Sequence, residues 1–190
     1  MLRALTAALL LLVSECQEAR NYTNYVSVPN GGPWGAWSEI LLCEKGLYAR
    51  GFAIKVESPQ GYADDTSLNG LQLVCATPTY NYMNSVSYEV VRAGVWGPIS
   101  WCPGGVMISF SLRVQPYQGA VTDDTAANNI RFYCSDEAII EGCGGNLGSY
   151  GGFSASCMKG MCGLQVRIEL PQPIVDDTGM NDVRIFCCND

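Results

Sequence analysis

The chain has no histidine among its 190 residues. That absence removes His-based catalytic triads, histidine general bases and most zinc sites from consideration. Basic residues are also few: 11 Lys and Arg face 18 Asp and Glu, for a formal net charge of −7. An acidic surface matches neither phosphate backbones nor anionic lipid, so nucleic acid and charged membrane surfaces are not expected partners. Beyond the first residues no apolar run is long enough to span a bilayer core of about 30 Å. No segment carries a convincing amphipathic helical stripe. A membrane span, a cofactor and a metal centre are all unexpected.

The chain is instead rich in cysteine and glycine, with 10 and 21 residues. It opens "MLRALTAALLLLVSECQEAR", with Arg3 as a positive head, a short apolar stretch over 4–13, and small residues at Ser14 and Cys16. This pattern predicts a secretory signal peptide over 1–16, with cleavage as late as residue 19 as the other option. A membrane anchor is the competing reading, and the apolar stretch is too short for it. In a secreted chain, cysteines read as disulfides before they read as metal ligands. One glycosylation sequon, Asn21-Tyr22-Thr23, lies near the expected mature start.

A repeat organises the rest. "DDTSLNGLQLVC" (64–75), "DDTAANNIRFYC" (123–134) and "DDTGMNDVRIFC" (176–187) align without a gap. Upstream, "WGAWS" (34–38), "WGPIS" (96–100) and "YGGFS" (150–154) share an aromatic-Gly-x-apolar-Ser pattern, followed by "FAIKVE" (52–57), "FSLRVQ" (110–115) and "LQVRIE" (164–169). A strand-like piece precedes each unit: "YVSV" (25–28), "YEVV" (88–91) and "AIIE" (138–141). The chain over 25–190 therefore reads as a single domain of three repeats, roughly 25–80, 81–136 and 137–190.

Period-2 alternation predicts strands with one buried face, and the glycines between them mark turns. Each unit reads as about four antiparallel strands. One such sheet cannot cover its own apolar face, whereas three sheets about a pseudo-threefold axis share one core. The expected fold is thus an all-β, disulfide-stapled β-prism. A three-bladed propeller-like arrangement and a trefoil barrel are the alternatives.

Cysteine spacing supports the repeat. Cys43 to Cys75 and Cys102 to Cys134 are both separated by 32 positions, and Cys157 to Cys187 by 30. A bridge inside each unit follows, and a loop of this size contributes about 4 kcal/mol in the chain-entropy model. Cys162 and Cys188 form a plausible fourth pair. Neighbours on a strand point to opposite faces, so Cys187 and Cys188 take different partners, and spacing does not decide which one takes Cys157.

The three "DDT…N…C" copies, with "GGPWG", "GVWG", "CGLQVRIE" and the terminal "FCC", resemble the vitelline membrane outer layer protein 1 family. The resemblance covers nearly all of the expected mature chain. It implies a β-prism of pseudo-threefold symmetry. It also implies a secreted, mainly structural protein of the egg's vitelline membrane or another secretion. A carbohydrate-related activity has been proposed for the family without an agreed catalytic site. Tyr150 and Phe153 depart from the tryptophans expected of the third unit, and Cys143 in "EGCGGNLG" is an added cysteine.

The candidate residues are weighed on these terms. Asp64, Asp65, Asp123, Asp124, Asp176 and Asp177 read as structural turn residues, because short polar side chains satisfy backbone groups in turns. Glycosidase chemistry needs two carboxylates in different environments at one site, and a triplicated motif does not supply that asymmetry. Asn69, Asn128 and Asn181 are expected in left-handed geometry or bonded across the turn. Trp34, Trp37, Trp96 and Trp101 are candidate glycan contacts, with packing of the repeated strand as the competing reading. Trp34 and Trp37 are expected on opposite faces, one buried and one exposed. Lys55, Arg113, Arg167, Arg131 and Arg184, with Gln72 in the first unit, read as a solvated sheet face or as partners of the aspartates. Loss of Cys16 with the signal leaves an odd cysteine, which favours an intermolecular bridge through Cys143 and a covalent dimer. The function expected is a structural component of an extracellular coat, contacting matrix or egg-coat glycoproteins and their glycans. A lectin-like module is second, and a glycan-transferring or glycan-hydrolysing enzyme is a distant third; the protein is not expected to be an enzyme.

Overall fold

The structure, a computed structural model, describes residues 20–57, 68–90, 93–116, 127–169 and 179–190. The signal segment and the six motif aspartates (Asp64, Asp65, Asp123, Asp124, Asp176 and Asp177) lie outside the described residues. The described residues contain strands and no helix, so no helix among them is long and apolar enough to cross a membrane.

Alternation of apolar residues produces three long hairpins. They are β4 (Tyr48–Val56) with β5 (Leu68–Ala76), β9 (Met107–Val114) with β10 (Ala127–Cys134), and β13 (Met161–Ile168) with β14 (Met180–Cys187). Each hairpin is the centre of one antiparallel sheet. Sheet I adds β6 (Met83–Glu89) beside β5, and β7 (Val95–Trp96) and β8 (Ser100–Trp101) beside β4. Sheet II adds β11 (Ile139–Glu141) and β12 (Ser149–Tyr150) to β10 and β9. Sheet III adds β1 (Asn24–Val26) to β14, and β2 (Ala36–Trp37) and β3 (Leu41–Leu42) to β13.

The sheets are therefore out of step with the sequence repeats. Repetition suggested four strands from each unit, but every hairpin is flanked by strands of the following unit. The last hairpin is closed by the first strands of the chain. The two chain ends meet in sheet III, where Asn24 pairs with Cys187 and Val26 with Ile185.

The inner faces repeat as well as the topology. Phe52 and Leu73, Phe110 and Phe132, and Leu164 and Ile185 are cross-strand pairs at equivalent positions, as are Ile54 and Leu71, Leu112 and Ile130, and Val166 and Val183. All twelve are essentially inaccessible to solvent and belong to one cluster. The Phe132 ring lies 4.7 Å from Phe52 in sheet I and 6.2 Å from Phe110 in its own sheet. Buried aromatic and aliphatic side chains of this size are each worth about 1.5–3 kcal/mol, and here each sheet buries its share only against the other two.

The disulfides close the same ring covalently. Cys43 is hydrogen-bonded to the β13 edge of sheet III through its N–H to the Cys162 carbonyl, and its sulfur bonds Cys75 in sheet I. Cys102 sits on the edge of sheet I, against the Arg50 carbonyl, and bonds Cys134 in sheet II. Cys157 sits on the edge of sheet II, against the Ile108 carbonyl, and bonds Cys187 in sheet III. Each bridge lies within one unit of sequence yet joins two sheets. Cys162 and Cys188 form a fourth bridge, inside sheet III, with Cys162 as the extra residue of a register shift between Met161 and Gly163.

Replacing Cys102 and Cys134 together by serine should open one link of this ring. Stability should fall by about 2–5 kcal/mol, read as the denaturation midpoint in urea under oxidising conditions. An unchanged midpoint would show that the inter-sheet link adds nothing to the packed core.

A polar clasp holds the chain ends. Arg20 Nη1 donates to the carbonyls of Cys43, Glu44 and Leu47 at 3.2, 2.8 and 2.7 Å, and Nη2 pairs with Asp190 Oδ1 at 2.7 Å. Burial pushes the Asp190 carboxyl up, but the Arg20 hydrogen bond and charge, aided by backbone N–H groups, outweigh it and hold the group below its ordinary value. A carboxyl with a lowered native pKa stabilises the fold above its unfolded value of about 4, and that contribution disappears as pH falls through the native value. Arg20→Ala should therefore lower the midpoint most near about pH 6, and the gap to the parent protein should narrow towards about pH 2. A gap that does not change with pH would mean that Arg20 acts through its carbonyl contacts alone.

Candidate functional site

The outer faces of the sheets carry the chemically distinctive side chains. Their placement begins with three glycines. Gly35, Gly94 and Gly148 have φ of +78°, +88° and +72°, and a Cβ at each would lie 1.8, 2.5 and 2.0 Å from the carbonyl oxygens of Ile168, Val56 and Val114. Only glycine allows this turn so close to the neighbouring strand. Two residues later an aromatic side chain lands at the same register in every sheet: Trp37 opposite Arg167, Trp96 opposite Lys55, and Tyr150 opposite Arg113. The repeat is thus "GAW", "GVW" and "GSY". The expected alignment of Trp34 with Trp96 and Tyr150 was displaced by three residues, because "WGAWS" offers two tryptophans to the pattern. Tyr150 is the true counterpart of Trp37 and Trp96.

These aromatics fasten the flanking strands. The Arg184 guanidinium lies 3.9 Å from the Trp37 ring centroid and 4.8 Å from that of Tyr25. Arg131 lies 4.2 Å from Tyr150 and 4.9 Å from Phe153, and Arg113 lies 4.8 Å from Tyr150. Contacts of this kind are worth about 0.5–2 kcal/mol, more when water is excluded. In sheet I the ring of Trp96 lies so close to Gly70 that a Cβ there would meet it at 2.9 Å. Lys55 is 5% exposed and pairs with Glu89. The basic residues thus do not form a simple solvated face. Lys55 is buried, and the four arginines are half-buried against rings.

Trp37 and Trp96 are half-buried, whereas Trp34 and Trp101 are 50% and 38% exposed. Trp101 covers Gly51, where a Cβ would meet its ring at 2.7 Å, and Tyr80 meets it edge-on at 5.9 Å. Tyr80 adopts φ of +56°, an uncommon conformation for a bulky residue. The turn that holds it donates from Thr77 N–H to the Tyr82 carbonyl at 3.2 Å and from Tyr80 N–H to the Thr77 carbonyl at 3.1 Å. The buried Arg50 guanidinium lies 5.4 Å from the Tyr80 ring and donates to the Gly105 carbonyl at 3.0 Å. Nearby in the chain, the Tyr82 hydroxyl donates to Glu44 Oε2 at 2.7 Å. Sequence reasoning selected Trp101 but missed Tyr80, since nothing in the repeat marks a left-handed tyrosine.

The other candidates are placed as follows. Asn69, Asn128 and Asn181 are buried strand residues, not left-handed turn residues; their carbonyls accept from Val90, Gly145 and Gly32 N–H at 2.8, 2.8 and 2.7 Å. Asn21 of the sequon is exposed. Cys143 is exposed and is the free cysteine among the described residues. Its sulfur rests against Gly97, as the Asn30 side chain rests against Gly151. Among the described residues no cluster of three or more metal-ligating side chains occurs. Burial, together with a hydrogen bond to Glu141, raises the Tyr150 phenol well above its ordinary value, so it stays a neutral donor. Burial likewise raises Asp182, against the lowering effects of the Val183 N–H, Arg167 and Arg184.

Known proteins share both the sequence pattern and the architecture. The family model for vitelline membrane outer layer protein I matches residues 24–190. The mouse (Mus musculus) vitelline membrane outer layer protein 1 homolog is 46% identical over 172 residues, covering 88% of this chain and 84% of that protein. The human (Homo sapiens) homolog is 45% identical over 177 residues, covering 90% and 86%. Among solved structures, Calsepa lectin in complex with a bisected glycan superposes with a TM-score of 0.53 at 12% identity, covering 90% of this chain and 100% of the lectin. That likeness is one of fold, the β-prism. By the extent of the family match and the identity to both mammalian homologs, the chain belongs to the vitelline membrane outer layer protein I family.

Proposed function

We propose that this protein is a secreted structural module of an extracellular coat, such as the outer layer of the egg vitelline membrane, or of a mucous secretion. The observation that carries the reading is the covalent ring of Cys43–Cys75, Cys102–Cys134 and Cys157–Cys187 around a single core, in a chain whose family match runs over 24–190. A ring of this kind suits an oxidising compartment and a module that must resist unfolding and proteolysis outside the cell. The mechanism is passive: the prism presents three related outer faces to coat glycoproteins.

A second reading, contact with the glycans of those glycoproteins, is favoured by the exposed pair Trp101 and Tyr80. An aromatic face braced by Gly51 below and Arg50 behind offers a rigid floor at low ordering cost. We further propose that contact is not followed by turnover.

Oxidised protein mixed with solubilised coat or mucin glycoproteins should co-sediment with them and should resist trypsin until reduced. Trp101→Ala should keep the fold and weaken retention on a glycan array. Failure to associate with any coat fraction would overturn the structural role. Turnover of chitin-like oligosaccharides, abolished by a single carboxylate substitution, would overturn the passive mechanism.

A further inference from the structure

Arg131, on the outer face of sheet II, is a half-buried cation held against rings. Its guanidinium makes no hydrogen bond and no ion pair among the described residues. Its contacts are the rings of Tyr150 at 4.2 Å and Phe153 at 4.9 Å, and its Nε is buried without a partner. Glu141 stands opposite on β11, yet its carboxylate accepts from the Tyr150 hydroxyl at 2.9 Å and from Asn129 Nδ2 at 3.3 Å rather than from the guanidinium. Arg113 also packs over Tyr150, at 4.8 Å, and donates to the Asn146 carbonyl at 2.9 Å.

A guanidinium held between rings is already ordered, so binding costs it little rotamer freedom. Its unused terminal donors form a planar fork that matches a carboxylate or a sulfate. Phe153, 39% exposed and braced edge-on by Tyr133 at 5.9 Å, adds an apolar surface beside that fork. We propose that Arg131, with Tyr150 and Phe153, forms a subsite for the carboxylate or sulfate group of an acidic saccharide. This rests on the glycan-contact reading above and names the class of glycan. An acidic peptide fits less well. The β10 strand is central, paired on both sides with β9 and β11, and offers no free backbone edge to an extended chain.

The device occurs twice and is missing once. In sheet III Arg184 lies between Tyr25 at 4.8 Å and Trp37 at 3.9 Å, with one long bond to Gln165 Oε1 at 3.5 Å. In sheet I the equivalent position is Gln72, and Lys55 is matched by Glu89. Two faces of the prism thus carry guanidinium groups stacked on rings, Arg184 with the Asp182 carboxyl within reach of its charge, and the third face pairs its lysine with Glu89.

Gln72 also supplies the control, because the same register of the same fold accepts glutamine. Titration with a sulfated and a sialylated oligosaccharide, beside their neutral parents, should show preference for both acidic forms, weakening with added salt. Arg131→Gln should keep the fold, with its unfolding midpoint lowered only by the lost ring contacts, and should lower affinity for the acidic forms by about tenfold or more, with a further loss in the Arg131→Gln, Arg184→Gln double variant. No preference for acidic over neutral saccharides, or equal binding by the double variant, would overturn the proposal. So would Arg131-dependent binding of a glutamate-rich peptide at equal or higher affinity. Retention of neutral glycans that depends on Trp101 would survive such a failure, which separates this subsite from the broader glycan-contact reading.

Discussion

Three sheets share one core, and no sheet covers its inner face alone. Phe132 packs against Phe52 of the neighbouring sheet at 4.7 Å, and every inner residue of the hairpins meets a triangle closed by the other two sheets. Closure of that triangle is the constraint on which the rest depends. It explains why strands are exchanged between consecutive units: an unexchanged sheet would be linked to its neighbours by one connection each. It explains why the first strands return to the last hairpin, since sheet III has no following unit from which to draw β1 and β2. It also explains why the repeated disulfides join sheets rather than strands of one sheet. The clasp of Arg20 on Asp190 lies at the same seam, where the chain ends meet.

Closure inward leaves the outer faces to be finished by local contacts. The flanking strands there are short, as in β2, β7 and β12, and two-residue strands have few ladder hydrogen bonds. Side-chain stacking compensates. A left-handed glycine turns the chain onto the hairpin, and the aromatic two residues on lies across the basic side chains of the central strands. In sheet II this anchoring leaves Arg131 without a hydrogen-bond partner among the described residues and in sheet III leaves Arg184 one long bond to Gln165, whereas in sheet I Glu89 neutralises Lys55. Structural reinforcement and the proposed saccharide subsite therefore draw on the same residues.

Much of this was legible in the sequence because it is periodic. The three "DDT…N…C" segments revealed the repeat, alternation revealed the strands, and cysteine spacing revealed the Cys43–Cys75 and Cys102–Cys134 bridges but not which of Cys187 and Cys188 takes Cys157. Sheet membership was not legible, because pairing between consecutive units leaves no mark inside either one. The outer aromatic register was misread, because Trp34 precedes Gly35 and resembles the anchor that Trp37 provides. Alternation also told only which face Arg131 and Arg184 occupy, not that rings would lie across them. Tyr150 and Phe153 looked like departures from a tryptophan pattern. In space both lie on Arg131, and Tyr150 fills the tryptophan position in full.

The difference between the three outer faces is where sequence divergence has most freedom to act. Inner positions are tied to one another: β13, which carries Leu164, packs against β4 and β5 of sheet I and β9 of sheet II, and well-packed cores resist added volume. An outer position answers to one sheet. Glutamine stands at position 72 where arginine stands at 131 and 184, with the strands and register unchanged. A fold with one indivisible core and three separable faces can therefore vary its surface chemistry one face at a time. In this chain that has produced two cationic aromatic faces and one neutral face.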